Sequence, residues 1–184
     1  MRVISGIAKG TRLETLEGNS TRPTLDRVKE ALFNIIQTNI KEASVLDLFA
    51  GSGALAIEAL SRGAKHAILC DKSNYAIKII KRNLEKTHLE ENAQIINSDY
   101  NKALNSYKDT KFDLIFIDPP YKLDIAVDAI SKIISLDLLE QDGIIVLETD
   151  NKERELEKLK NINVNVYDLR KYGRVTLIFL NRKG

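Results

Sequence analysis

The chain has 184 residues, one cysteine and a formal net charge of +2. With 43% hydrophobic residues, a chain of this length can bury one core. No apolar run approaches the roughly 20 residues of a membrane span, and one cysteine excludes an internal disulfide framework. We therefore expect a cytoplasmic protein with a single domain over residues 1–184, in which residues 1–20 form an extension and residues 21–184 form the core.

The N-terminal residues predict a β-hairpin followed by a helix. Two short strands are expected around Gly6 to Gly10, and a polar loop follows them. Pro23 then opens a helix for which Thr24 is a suitable N-cap. The apolar residues of this helix fall on one face, as the spacing of Leu25, Val28, Leu32, Ile35 and Ile36 shows.

Strand-like and helical segments alternate along the rest of the chain. Strands are predicted over residues 43–49, 67–70, 93–97, 112–117 and 143–148, and helices over 53–62, 73–86, 125–135 and 152–160. This alternation predicts an α/β fold with a mostly parallel, seven-stranded Rossmann-like sheet covered by helices on both faces. The last two strands, 164–169 and 175–180, have no helix between them, so we expect an antiparallel hairpin at one edge.

A glycine-rich turn follows the first strand of this alternation. Gly51 and Gly53 allow a sharp bend and a close approach of the backbone to a ligand at the start of the next helix. Asp71 ends the second strand, 20 residues after Gly51, where a carboxylate can hold two ribose hydroxyls. The same spacing is found in dinucleotide-binding sites, so it predicts a nucleoside cofactor without choosing between classes.

Further acids follow the strands and narrow the choice of cofactor. Asp99 follows the third strand and would reach an adenine amino group, while Asp47 could hold an ammonium group. Open α/β sheets bind ligands at the carboxyl ends of their strands, so these acids should meet in one site. A ring of carboxylates suits an amine, a ribose and a sulfonium but would repel a pyrophosphate. The pattern favours S-adenosylmethionine over NAD.

The sequence Asp118-Pro119-Pro120-Tyr121 directly follows the apolar strand 112–117. Two prolines cannot continue a sheet, since neither donates a backbone hydrogen bond. The strand therefore ends on a stiff turn that presents a carboxylate, carbonyl groups and an aromatic ring. The oxygens can accept hydrogen bonds from an amino group while the ring stacks on the same planar molecule. A plain strand terminator is the alternative interpretation of this turn.

Both ends of the chain are basic. The first 13 residues contain three cations and no acid, and residues 170–184 contain five cations and no acid. Such a distribution is typical of a surface that binds a polyanion, although solvated charge at the termini would look the same. We expect phosphate contacts from six side chains, namely Arg2, Lys9, Arg12, Arg22, Arg27 and Arg174.

Taken in order, these motifs resemble the bacterial 16S rRNA guanine-N2 methyltransferases of the RsmD type. The resemblance covers nearly the whole chain, and its motifs are residues 2–6, 22–24, 27–34, 46–53, 118–121 and 171–173. The Asp-Pro-Pro-Tyr turn alone is shared with DNA and protein-release-factor amino methyltransferases. The Arg-Pro-Thr block ahead of the glycine turn, together with the short chain, favours the RsmD type over these other amino methyltransferases.

The resemblance implies a class I methyltransferase fold that uses S-adenosylmethionine, yields S-adenosylhomocysteine and needs no metal. It implies transfer to N2 of one guanine, conventionally position 966 of 16S rRNA, in the small ribosomal subunit or its assembly intermediate, with no membrane and no obligate protein partner. It assigns the target base to Asp118, Pro119, Pro120 and Tyr121. It assigns the cofactor to Thr24, Asp47, Phe49, Gly51, Ser52, Gly53, Asp71, Lys72, Asp99 and Tyr100.

Three other functions share part of this pattern. An amino methyltransferase acting on adenine or cytosine in DNA, or on a protein glutamine, would use the same turn, but no stretch is spare for DNA target recognition. A nicotinamide-dependent dehydrogenase shares the glycine spacing but has no evident use for the proline pair. A catalytically silent RNA-binding domain would not need all three motifs intact. The choice of guanine rests on the resemblance and on no single residue.

Overall fold

The computed structural model describes residues 1–16, 23–120 and 123–183. Its strands are β1 (Ser44–Asp47), β2 (His66–Asp71), β3 (Ala93–Asn97), β4 (Phe112–Ile117), β5 (Leu139–Thr149), β6 (Val164–Tyr172) and β7 (Val175–Arg182). Its helices are α1 (Pro23–Ile35), α2 (Ala54–Ser61), α3 (Asn74–Thr87), α4 (Tyr100–Ser106), α5 (Ala126–Ser135) and α6 (Lys152–Leu159). None of these helices is long and apolar enough to cross a membrane.

The seven strands form one sheet in the order β3-β2-β1-β4-β5-β7-β6. Neighbours from β3 to β5 run parallel, whereas β7 runs antiparallel to both β5 and β6. The predicted mostly parallel sheet with a C-terminal antiparallel hairpin is therefore confirmed. The chain order reverses beside β1, and open sheets of this kind bind their ligands in the crevice at such a switch point.

Helices cover both faces of the sheet. The N-terminal residues and α1 to α3 pack on one face, and α4 to α6 pack on the other. Strands that are buried on both faces have continuous apolar sequences, and for this reason the sequence predicts β4. Strand β5 begins at Leu139, earlier than predicted, because a register shift in its pairing with β4 accommodates the polar residues before Gly143.

The N-terminal segment reverses direction as expected, but it does not form the two predicted strands. A single antiparallel bridge joins Arg2 to Arg12, supported by backbone hydrogen bonds from Val3 to Thr11 (3.0 Å) and from Gly10 to Val3 (2.9 Å). The strands are absent because other backbone N–H groups of this segment donate to side chains of α2 instead. We call residues 1–13 the N-terminal hairpin.

The predicted N-cap of the first helix is wrong. Helix α1 begins at Pro23, so Thr24 lies within its first turn. Proline is favoured at the first helical position because its φ is already helical and its missing N–H has no partner to lose there. Pro23, and not Thr24, therefore marks the start of α1.

A buried carboxylate joins the N-terminal hairpin to the helices beneath it. Glu58 on α2 accepts hydrogen bonds from the backbone N–H groups of Ile4 (2.8 Å) and Ser5 (3.0 Å). It also forms ion pairs with Lys29 of α1 (3.0 Å) and with Arg62 (2.8 Å). Glu58 is fully buried, so these four partners replace the water that would otherwise solvate its carboxylate. The carboxylate thereby fixes the hairpin, α1 and α2 relative to one another.

Replacing this carboxylate should destabilise the fold strongly. We expect Glu58→Gln to lower the free energy of unfolding by about 3 kcal/mol or more, because it leaves Lys29 buried without its counter-charge. Glu157→Gln is the matched control, since the pair of Glu157 with Lys160 is exposed and should contribute less than about 1 kcal/mol. Urea unfolding measures both, and similar losses for the two variants would contradict the role given to Glu58.

Candidate active site

A cleft of about 710 Å³ opens at the carboxyl ends of the parallel strands. Its volume is in the range of about 300–1,000 Å³ that is usual for small-molecule sites. The cleft brings together most of the predicted site residues, namely Asp47, Phe49, Gly51, Ser52, Asp71, Lys72, Asp99, Tyr100, Asp118, Pro119 and Pro120. Asp47 at the end of β1 and Glu148 near the end of β5 are 101 positions apart in the chain, yet both line this cleft.

Asp71 braces the glycine-rich turn. One carboxylate oxygen accepts a hydrogen bond from the backbone N–H of Gly51 (2.9 Å), and the other accepts from Ser73 (2.8 Å). Gly51 and Gly53 adopt positive φ values of +55° and +78°. A Cβ at Gly53 would lie 2.9 Å from the side chain of Leu69, so this glycine permits the close packing of α2 on β2.

Asp47 is a buried carboxyl group at the end of β1. One of its oxygens accepts a hydrogen bond from the backbone N–H of Ala56 (3.3 Å). Burial raises the pKa of Asp47 to about 7. The hydrogen bond from Ala56 lowers this pKa, whereas the negative charge of Asp71 raises it. A cation bound in the cleft would stabilise the ionised form of this group.

Asp118 lies one residue beyond β4 and lines the cleft, where the residue is half-buried. Burial raises the pKa of Asp118 well above its usual range, and the charges of Glu148 and Asp47 raise it further. Glu148 lies near the end of β5. Three carboxyl groups thus approach one another in a low-dielectric cleft, an arrangement that favours a positively charged ligand.

Asp99 and two aromatic rings form another part of the cleft. Asp99 is the N-cap of α4, and its Oδ1 accepts hydrogen bonds from Asn101 (3.0 Å) and Lys102 (3.1 Å). The ring of Tyr100 packs against that of Phe49, with their centroids 5.6 Å apart. An acid beside a flat apolar wall can accept hydrogen bonds from a heterocyclic amine whose ring packs against the aromatic groups.

The cleft also contains residues that the sequence analysis missed. Met1, Thr15 and Leu16 bring the N-terminal segment to its wall, and Lys29 and Glu148 contribute charged groups. Glu148 could have been found, because the strand-end argument used for Asp71 and Asp99 applies equally to β5. No pattern in the sequence indicates that residues 1–16 fold back onto the cleft.

Cys70 is buried in β2, and burial raises the pKa of its thiol to about 12, which excludes a nucleophilic thiolate at neutral pH. Within residues 1–16, 23–120 and 123–183, no three His, Cys, Asp or Glu side chains are placed to share a metal ion. The absence of a metal cofactor stays a prediction.

Two predicted residues, Tyr121 and Arg22, lie outside the described residues, and only the backbone of Thr24 is described. The other predicted RNA-binding side chains, Arg2, Lys9, Arg12, Arg27 and Arg174, are all exposed.

These cations differ in their distance from the cleft. Arg174 lies in the turn between β6 and β7. This turn is at the same end of the sheet as the cleft, because the start of β7 pairs with the end of β5. Arg2 is 3.9 Å from Asp26 of α1. Lys9 belongs to the tip of the hairpin, which contacts Ser61 at the far end of α2, about 12 Å along that helix from the cleft edge.

The sheet order, the antiparallel β7 between β5 and β6, the glycine turn after β1 and the acid at the end of β2 define a class I methyltransferase fold. The chain belongs to the family described as Conserved hypothetical protein 95, which matches residues 1–181. The resemblance found in the sequence motifs is therefore confirmed at the level of the family.

Individual relatives agree with this membership. The Bacillus subtilis (strain 168) protein named "Putative rRNA methyltransferase YlbH" is 41% identical over the full length of both chains. "Ribosomal RNA small subunit methyltransferase D" of Haemophilus influenzae is 36% identical, covering 82% of this chain and 79% of its own. The solved structure titled "Putative methyltransferase yhhF from Escherichia coli" has a TM-score of 0.86 at 31% identity, covering 100% of this chain and 98% of its own.

The raised pKa of Asp47 predicts a pH-dependent stability of the ligand-free protein. The folded state retains a proton on Asp47 up to about pH 7, whereas the unfolded chain releases it near pH 3.8, so the wild type loses stability as pH rises through this window. Asp47→Asn removes this dependence. The free energy of unfolding of the variant minus that of the wild type should therefore increase by about 3 kcal/mol from pH 5 to pH 8.

Urea unfolding of both proteins at the two pH values measures this change without any ligand. A difference between the two proteins that stays constant from pH 5 to pH 8 would show that Asp47 has an ordinary pKa.

Proposed function

We propose that this protein transfers a methyl group from S-adenosylmethionine to the exocyclic N2 of one guanine, position 966, in the 16S rRNA of the small ribosomal subunit. The observation that carries the proposal is the position of Asp118 and Pro119 in the same cleft as the cofactor-type acids Asp47, Asp71 and Asp99. The proposal is supported by relatives named as rRNA methyltransferases. The enzyme would meet its target in an assembled or partly assembled subunit.

The residues of the cleft fit S-adenosylmethionine. Asp71 is held so that each of its oxygens keeps a lone pair for a ribose hydroxyl. Asp99, beside the rings of Phe49 and Tyr100, suits the adenine amine and ring. Asp47 suits the ammonium group, since binding of a cation relieves the cost of ionising a buried carboxyl. Gly51 and Ser52 complete the methionine side of the cleft.

S-adenosylmethionine supplies a methyl group already activated by a positively charged sulfur, so the chain has to position the acceptor. The N2 lone pair of guanine is delocalised into the ring and is a poor nucleophile. Asp118 and the carbonyl of Pro119 would accept hydrogen bonds from the two N2 hydrogens and direct the lone pair towards the methyl carbon. Positioning of this kind can contribute about 7–11 kcal/mol.

The protonation of Asp118 follows from its surroundings. In the ligand-free cleft burial raises the pKa of Asp118, and the charges of Glu148 and Asp47 raise it further. A cation held in the cleft opposes this shift because it stabilises the carboxylate. A bound cationic cofactor would therefore favour the ionised form of Asp118. Transfer would form the nitrogen–carbon bond while the sulfur–carbon bond breaks and its electrons stay on sulfur, and Asp118 would accept one N2 proton. Tyr121 would stack on the base, by analogy with its place in the motif.

The catalytic role of Asp118 predicts a separation of binding from transfer. Asp118→Asn keeps the size of the side chain but removes the charge that accepts the N2 hydrogens, so we expect methyl transfer to fall at least 100-fold. The affinity for S-adenosylhomocysteine should change less than about threefold, because this ligand lacks the cationic methyl group that the carboxylate attracts. Labelled S-adenosylmethionine with undermethylated small subunits measures transfer, and calorimetry measures binding.

Asp142→Asn is the matched control. Asp142 is exposed near the start of β5, and the cleft lies at the other end of that strand. This variant should transfer methyl groups at the wild-type rate. If Asp118→Asn retained full transfer, the turn would be a strand terminator and not the site of the reaction.

The exposure of Arg174 at the same end of the sheet as the cleft predicts a role in holding RNA. Arg174→Ala should weaken binding to small subunits several-fold and reduce the slope of log K against log salt by about 1, because one phosphate contact is lost. Lys108→Ala is the matched control, since Lys108 is exposed after α4, on the amino side of β4. Filter binding at several salt concentrations tests both variants, and an unchanged slope for Arg174→Ala would remove this turn from the RNA-binding surface.

A further inference from the structure

Asn83 is a fully buried residue of α3 that connects two segments of the cleft wall. Its Nδ2 donates hydrogen bonds to the backbone carbonyl of Ser52 in the glycine turn (2.9 Å) and to that of Glu14 (3.0 Å). Its Oδ1 accepts a hydrogen bond from the backbone N–H of Glu14 (2.7 Å). One side-chain amide therefore bonds to both segments.

The chemistry of this position requires an amide. Two backbone carbonyls need donors, and one backbone N–H needs an acceptor, so a hydroxyl or a carboxylate cannot satisfy all three. An apolar side chain at Asn83 would leave the part-buried backbone groups of Ser52 and Glu14 without their protein partner, which costs free energy wherever water cannot replace the lost hydrogen bond. These unpaired groups would favour separation of the N-terminal segment from the glycine turn.

The segment held by Asn83 lies directly over the glycine turn. The side chain of Glu14 forms ion pairs with Arg82 (2.9 Å) and Lys86 (2.5 Å) of α3, so Glu14 is fixed through both its backbone and its side chain. The next two residues, Thr15 and Leu16, line the cleft. A Cδ atom of Leu16 lies 3.6 Å from the point where a Cβ on Gly51 would be.

We infer that Asn83 is a positioning residue for the cofactor, because it locks Glu14–Leu16 and the glycine turn into one preformed wall of the cleft. This inference rests on the proposed function for the identity of the cofactor. Asn83 touches neither reactant; it acts by reducing the ordering that Leu16 and Gly51 must undergo when a ligand binds. A cofactor then meets a wall that the fold has already assembled.

The test compares cofactor affinity with turnover. Asn83→Leu is similar in size and makes none of the three hydrogen bonds, so we expect S-adenosylhomocysteine to bind roughly tenfold more weakly by calorimetry. The KM for S-adenosylmethionine should rise by a similar factor while kcat at saturating cofactor changes less than about twofold, because the lost interaction is the same in the ground and transition states. The amide of Glu14 should also exchange faster with deuterated solvent.

Thr87→Val is the matched control. Thr87 is buried one turn further along α3, and its hydroxyl donates within the helix, to the carbonyls of Asn83 (2.8 Å) and Leu84 (3.0 Å). Its replacement should lower the stability of α3 without changing cofactor affinity. Equal loss of affinity in the two variants, or wild-type affinity in Asn83→Leu, would overturn the inference.

A second variant decides the question if Asn83→Leu does not fold. Leu16→Ala removes the side chain above Gly51 at a position that is only partly covered, and it should weaken S-adenosylhomocysteine binding several-fold at unchanged stability. Unchanged binding would overturn the inference. Failure of the wild type itself to bind S-adenosylhomocysteine would instead refute the proposed function, so the two failures are distinguishable.

Discussion

The repulsion among carboxyl groups at the carboxyl edge of the sheet is the constraint on which the account of this site depends. Parallel strands deliver Asp47, Asp71, Asp118 and Glu148 to one cleft. Burial raises the pKa of Asp47 and of Asp118; the charge of Asp71 adds to the shift of Asp47, and the charges of Glu148 and Asp47 add to that of Asp118. A folded protein retains such a cluster only where other packing compensates for it. A cation relieves the repulsion, whereas a pyrophosphate would increase it, and this is the physical reason for preferring S-adenosylmethionine to a dinucleotide.

The N-terminal segment depends on two buried polar anchors. Glu58 holds the start of the hairpin on α1 and α2, and Asn83 holds its continuation on α3 beside the glycine turn. Both anchors satisfy backbone groups that would otherwise pair in a sheet, so the segment forms a single bridge in place of two strands. The same contacts place Thr15 and Leu16 in the wall of the cleft, directly after the hairpin that carries the basic side chains.

The sequence predicted those parts of the fold and site that depend on local patterns. Alternating apolar strands and helices, the glycine turn, and the acids at Asp71 and Asp99 were all readable, because a strand end places the next side chain at the ligand-binding edge. Glu148 followed the same rule and was overlooked. The start of β5 was missed because polar residues separate Leu139 from the apolar run after Gly143, and a register shift accommodates them. The wall of Thr15 and Leu16 was not predictable, since it depends on buried contacts made by Glu58 and Asn83 with distant backbone.

The measurement that tests the central claim most directly is identification of the methylated nucleoside by mass spectrometry. Undermethylated small subunits would be incubated with the wild-type protein and labelled S-adenosylmethionine, and the rRNA would be digested to fragments and nucleosides. The account predicts N2-methylguanosine in the one 16S rRNA fragment that contains position 966. A label on adenine or cytosine, or no label on rRNA despite bound cofactor, would contradict the assignment of guanine N2 and leave the methyltransferase fold with another substrate.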